Sequence, residues 1–180
     1  MGNGHLVGAG PTSWGPPRRR TVEWYDPHRT VTVGGSMPGI DYLRAILDKR
    51  LAPPPSLALL QIELIDVAWG RVTFGCTPDE SMINAIGTIH GGILGTLLDS
   101  AASSALLSMQ PAGVAIASME IKVSFLKSVY PQGDPLLATG VVVSPGPRVA
   151  FTEASVATNS GVVAATASSS LFISDATSTG

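Results

Sequence analysis

Between Glu80 and Glu120 the only Asp, Glu, Lys or Arg is Asp99, and it stands midway along the most apolar stretch of the chain. Desolvation penalises a carboxylate in such surroundings unless hydrogen bonds or an opposite charge compensate. The fold must therefore supply that compensation. From His90 to Met109, just before Pro111, Ile93, Leu94, Leu97, Leu98, Ala101, Ala102, Ala105 and Leu106 recur at helical spacing. The stretch is far longer than an ordinary strand, so it predicts a central helix. A membrane span is disfavoured: no Lys or Arg flanks the segment, and an aspartate at mid-bilayer costs about 2.5–3.5 kcal/mol on insertion scales. A buried helix of a protein without membrane partners is the expectation.

Gly92, Gly95, Thr96, Asp99 and Ser103 lie three or four residues apart, forming a small, polar seam beside the apolar stripe. A ligand or a second helix could approach closely along it. His90-Gly91-Gly92 opens the helix, where backbone N–H groups lack intrahelical partners and the dipole is positive. Such donors suit a carbonyl oxygen that gains charge during acyl transfer. Asn84 and His90 can each offer a further hydrogen bond there. Taken alone, a Gly-Gly before a helix is more often turn geometry, a lone histidine more often structural, and a helix carboxylate as often a cap or an interface pair. The chemical reading rests on their combination.

The rest of the chain reads as α+β. Residues 1–37 form a Gly/Pro-rich extension, read as partly flexible, with short β-type pieces at Thr21–Tyr25 and Thr30–Val33; residues 38–180 form the main domain. Asp41 to Leu51 predicts a short helix ended by Pro53-Pro54-Pro55. Ala58–Trp69 and Arg71–Thr77 predict a hairpin about Gly70, and Asp79–Thr88 an irregular link. Ala115–Val129, Leu136–Val143, Val149–Thr158 and Val162–Ile173 predict four largely antiparallel strands separated by turn residues. Two strands, one buried helix and four strands suit an antiparallel sheet folded around a single helix. Its open side and edges need cover, which a second copy supplies.

A hydrophobic content of 44% against 13% charged residues points to extensive burial, subunit interfaces included. A net charge of -2 leaves no positive field for nucleic acid, and the one basic cluster, Arg18 to Arg20, reads as solvated. Cys76 is the single cysteine, so neither an intrachain disulfide nor a cysteine metal cage is open to the chain. Its three histidines are too scattered for a zinc site, and no Gly-x-Ser-x-Gly, phosphate-loop or dinucleotide fingerprint occurs. No metal and no cofactor are expected. Met1 to Trp14 lacks the charged start and apolar run of a secretory leader, so a reducing, cytoplasmic location is expected.

Asn84-x5-His90-Gly91-Gly92-x6-Asp99, followed by the strand Ala117 to Lys127, resembles the hot-dog thioesterases of the phenylacetyl-CoA thioesterase (PaaI-like) type over about Asp41 to Ser174. The resemblance implies a hot-dog fold in a homodimer or homotetramer, with an acyl-CoA thioester bound between subunits. It implies Asp99 as general base or nucleophile, the Gly91 N–H polarising the carbonyl, and His90 and Asn84 orienting the thioester. Ser118 matches a position that holds water in some relatives. Gly92 and Thr96 line the approach, and Lys122, Lys127 and Arg148 are candidates for the CoA phosphates, although each reads equally well as a solvated strand-end charge. Hydration of an enoyl-CoA occurs on the same fold but typically carries Asp-x-Asn-x-x-His, which this chain lacks. A non-catalytic acyl-CoA-binding module is the other alternative.

Overall fold

The computed structural model describes residues 15–131 and 133–175. The expectations for residues 1–14 and for the last five residues lie outside these. The chain begins with α1 (Pro27–Gly35), α2 (Gly39–Leu47) and α3 (Pro55–Leu59). The hairpin β1 (Ile62–Ala68) and β2 (Arg71–Cys76) follows, then α4 (Gly91–Leu107). Strands β3 (Val114–Phe125), β4 (Leu136–Ser144), β5 (Val149–Thr158) and β6 (Val163–Asp175) complete it. All six strands form one sheet in the order β1-β2-β4-β5-β6-β3, antiparallel at every pairing. One antiparallel sheet around one long helix is the α+β hot-dog architecture that the sequence led us to expect.

Three local expectations are corrected. Thr30–Val33 is helical, not β, because Asp26 accepts from the His28 N–H as N-cap and Pro27 supplies the first helical φ; these end signals outweigh the β-branched run. Ala58 and Leu59 are not the start of a strand but the end of α3, which Pro55 initiates, so β1 begins at Ile62. The third is Thr21–Tyr25, which forms no strand. Within the sheet, β3 does not pair with its successor β4 but crosses to pair with β6, leaving β3 at the edge. The segment 126–131 that leaves β3 runs past the start of α4, where Val129 C=O accepts from the Ile89 N–H at 2.8 Å.

Helix α4 lies on the concave face of the sheet. Leu97, Leu98, Ala101, Ala102 and Leu106 are sealed against Val72, Leu136, Ala138, Val156 and Leu171. Burying each leucine contributes about 1.5–3 kcal/mol. The helix can come this near because β4 carries Gly140: a Cβ there would stand 2.2 Å from the Ala101 carbonyl oxygen. Among the described residues no helix is long and apolar enough to cross a membrane.

Candidate active site

The opposite face of α4 is not covered. Gly92, Thr96 and Asp99 lie along it, partly or fully exposed, and a Cβ at Gly95 would meet nothing within 4 Å. The polar seam read from the sequence is thus an open strip. Thr96 Oγ1 donates to the Gly92 carbonyl at 2.9 Å and Ser103 Oγ to the Asp99 carbonyl at 2.7 Å, so both hydroxyls are used within the helix.

Asp99 is half-buried, and its carboxylate accepts a 2.7 Å hydrogen bond from Ser118 Oγ on β3. That contact depends on a β-bulge. Phe125, Val123 and Ile121 pair with Ala165, Ala167 and Ser169 and face the helix; with strict alternation Met119 would be next. The register shifts between Ser118 and Glu120, which leaves Met119 as the extra residue and turns Ser118 toward α4, opposite Leu171. The bulge thus aims the hydroxyl at the carboxylate.

At the start of α4, His90 is the N-cap: its Nδ1 accepts from the Gly92 N–H at 2.9 Å. A backbone N–H can only donate, so this ring holds its proton on Nε2, which points a donor outward. The Gly92 donor is therefore spent, and Gly91 is the residue whose N–H has no partner among the described hydrogen bonds. Phe125 closes over it. A Cβ on Gly91 would stand 2.9 Å from Phe125 Cζ, so glycine is what lets the ring and the bare peptide nitrogen lie together.

Asn84 serves the same corner indirectly. Its Oδ1 accepts from the Ile86 and Thr88 N–H groups and its Nδ2 donates to Thr88 Oγ1 at 2.8 Å. The amide closes the loop that delivers His90. Asn84, Thr88, Gly91, Phe125 and Lys127 line a cleft of about 330 Å³. Phe125 and Thr88 were not singled out from the sequence; Phe125 lay in the quoted strand, but its place over Gly91 follows only from the fold.

The other candidates stand apart. Lys122 points to the convex face of the sheet, in a trough with Arg71 and Glu153. Arg148 lies in the β4–β5 turn, at the far end of the sheet from Gly91, with its guanidinium 5.6 Å from the centroid of the Phe172 ring. Neither reaches Asp99 or Gly91 in the same chain. A cleft of about 710 Å³ between α1, α2 and β1 contains none of the candidate residues.

This fold and motif define a class, and the chain belongs to the thioesterase superfamily, whose family model matches residues 86–165. A Halobacterium salinarum protein named as a putative esterase is 34% identical over 107 residues, 57% of this chain and 69% of that relative. Human acyl-coenzyme A thioesterase 13 is 32% identical over 92 residues, 51% of this chain and 64% of its own length, so the chain spans just under two thirds of that relative. Among solved structures, a thioesterase family protein from Silicibacter pomeroyi superposes with a TM-score of 0.66 at 26% identity, covering 74% of this chain and 98% of that one. The PaaI protein of the E. coli phenylacetic acid degradation operon gives 0.65 at 22%, covering 76% and 95%, and shares the fold. So does a Streptococcus mutans protein bound to acetyl CoA, with 0.58 at 23%, covering 63% and 89%.

Proposed function

We propose that the chain is an acyl-CoA thioesterase that hydrolyses an acyl-CoA to the free acid and coenzyme A. We further propose that it works as a homodimer in which Asp99 of one copy faces His90 and Gly91 of the other. One separation carries this reading. Asp99 follows Gly91 by eight residues on one helix, so at 1.5 Å per residue they stand about 12 Å apart. A base or nucleophile and an oxyanion donor must both lie about 3 Å from the reacting atoms. A single chain therefore holds both halves of a site without joining them.

The edge strand supports the second copy. β3 spans 12 residues with one side unpaired, and Met119, Phe125 and Leu126 are 54%, 58% and 56% exposed. Such an edge invites pairing with another strand. Two β3 strands meeting antiparallel about a two-fold axis would bring the Ser118 end of one beside the Phe125 end of the other. Those ends carry Asp99 and Gly91. Further association to a homotetramer is compatible with the convex face left free.

In the resulting site the Gly91 N–H would hold the thioester carbonyl oxygen as it gains charge, with His90 Nε2–H beside it. Asp99 either takes a proton from water as the water oxygen attacks the carbonyl carbon, or attacks that carbon itself. In the first route the C–S bond breaks and the thiolate recovers the proton. In the second, CoA thiolate leaves an acyl-Asp99 anhydride that water then hydrolyses. Water is the co-substrate, coenzyme A enters as part of the substrate, and neither a metal nor a cofactor takes part. Lys127 beside the cleft is the cation best placed for a CoA phosphate. The relatives' names support the substrate class, and a cytoplasmic location fits it.

The test is free-thiol release from a panel of aliphatic and aromatic acyl-CoA esters. Asp99→Asn and Asp99→Ala should lower kcat by about 10²–10⁴ while the dimer persists. Near wild-type turnover would remove Asp99 from the chemistry. A chain that binds the panel without releasing thiol would be the non-catalytic module instead.

A further inference from the structure

The Arg18 to Arg20 cluster is exposed, as a solvated stretch would be, yet Arg18 and Arg20 reach the turn that leads to His90. Arg20 Nη1 donates to Asp79 Oδ2 and to Ser81 Oγ, both at 3.2 Å, and Nη2 donates to the Leu59 carbonyl at 2.7 Å. One guanidinium thus ties three segments: the arm before α1, the end of α3, and the 3-10 turn Glu80–Met82. Arg18 pairs with Glu80 in the same turn. Asp79 is the hub, since its Oδ1 also accepts from the Ser81 N–H and Oγ, and its Oδ2 from Gln61 Nε2 at 2.6 Å. Donation by Ser81 and Gln61, with the Arg20 charge, holds the Asp79 carboxyl below its ordinary range.

The turn connects directly to the site. The Met82 carbonyl accepts from the His90 N–H at 2.8 Å, and Ile83 bridges to Ile89. Met82 and Ile89 are both buried at 4% exposure, so a shift of the turn moves His90 and Gly91 rather than being absorbed by a loose loop.

We infer that Arg20 is a positioning residue: acting through the Asp79–Met82 turn, it fixes where His90 and the Gly91 N–H stand. Its worth lies in geometry more than in charge energy. The Arg20 and Asp79 side chains are 35% and 39% exposed, and an ion pair so placed contributes little by itself. A planar fork reaching three acceptors specifies a position that a lysine ammonium does not. The kinetic half of the inference rests on the thioesterase reading; the structural half does not.

The experiment compares full-length wild type, Arg20→Ala and Arg20→Lys by amide hydrogen exchange and by steady-state thioester hydrolysis. Arg20→Ala should speed exchange in residues 80–92 about three- to tenfold while amides of Leu97–Leu106 exchange as in wild type. Its kcat should fall by a similar factor with KM within about twofold, because an oxyanion donor acts on the transition state. Arg20→Lys, which keeps the charge and guards against a variant that fails to fold, should lie between. Exchange in residues 80–92 that matches wild type, acceleration spread evenly over the chain, or a loosened turn with unchanged kcat would each overturn the role. A wild type that releases no thiol would overturn the thioesterase reading, and exchange alone would then decide whether Arg20 positions the turn.

Discussion

The Ser118 hydroxyl on β3 donates a 2.7 Å hydrogen bond to the Asp99 carboxylate on α4. It is the one polar contact that the described residues give that carboxylate, and a β-bulge creates it. The bond compensates part of the desolvation that the apolar helix imposes, and it fixes one oxygen while leaving the other without a partner among the described residues. Ser118→Ala should lower kcat about tenfold with a small change in KM, the loss of one hydrogen bond to a charged group being worth about 1.5–3 kcal/mol at most. Kinetics indistinguishable from wild type would make the contact incidental.

Thr152 points a hydroxyl into the core at 1% exposure, and among the described residues its Oγ1 has no hydrogen-bond partner. Replacing an unsatisfied buried hydroxyl by a methyl group of similar shape removes a desolvation cost. Thr152→Val should therefore stabilise the chain by about 1 kcal/mol in denaturant unfolding. Destabilisation would mean that the hydroxyl is satisfied in solution.

Cys76 is buried, with its thiol 3.6 Å from the Leu60 carbonyl, and burial, assisted by Asp79, pushes its pKa from 9.0 up to about 11. The native thiol should resist an aromatic disulfide reagent at pH 8 and react at once in denaturant. The unfolded chain ionises this thiol before the folded one. Its contribution to stability is therefore complete below pH 9 and declines as pH rises toward 11. Rapid labelling of the native chain would contradict this burial.

Much of this was legible in the sequence because the signals were redundant. The stripe from Leu94 to Leu106, the isolated Asp99 and the His90-Gly91-Gly92 start fix a long helix with one apolar and one open face, and turn residues mark the strands around it. Even the bulge left a trace: Val114 and Ile116 fall on even positions, whereas Ile121, Val123 and Phe125 fall on odd ones, so the alternation breaks near Ser118 and Met119. What could not be read were the features that depend on partners distant in the chain. The face taken by Lys122, the end taken by Arg148, the use of the Asn84 amide within its own loop, and the tie from Arg20 to Asp79 are fixed by sheet order and loop closure. Thr30–Val33 was misread because β-branching speaks for a strand while Asp26 and Pro27, just before it, speak for a helix.

The proposed site between two copies is tested most directly by mixing two inactive chains. Asp99→Ala removes the carboxylate, and Gly91→Pro removes the donor; proline suits the first helical position after His90, whose ψ of 133° is already extended, and its ring displaces the tip of Phe125. Each variant alone should be nearly inactive. In a hybrid dimer, one site regains an intact Gly91 from one chain and an intact Asp99 from the other. Random one-to-one reassociation should then restore about a quarter of wild-type turnover, half of the dimers being hybrids with one working site. Activity that stays at the level of the separate variants, in mixtures shown to contain hybrids, would contradict a site built across two copies.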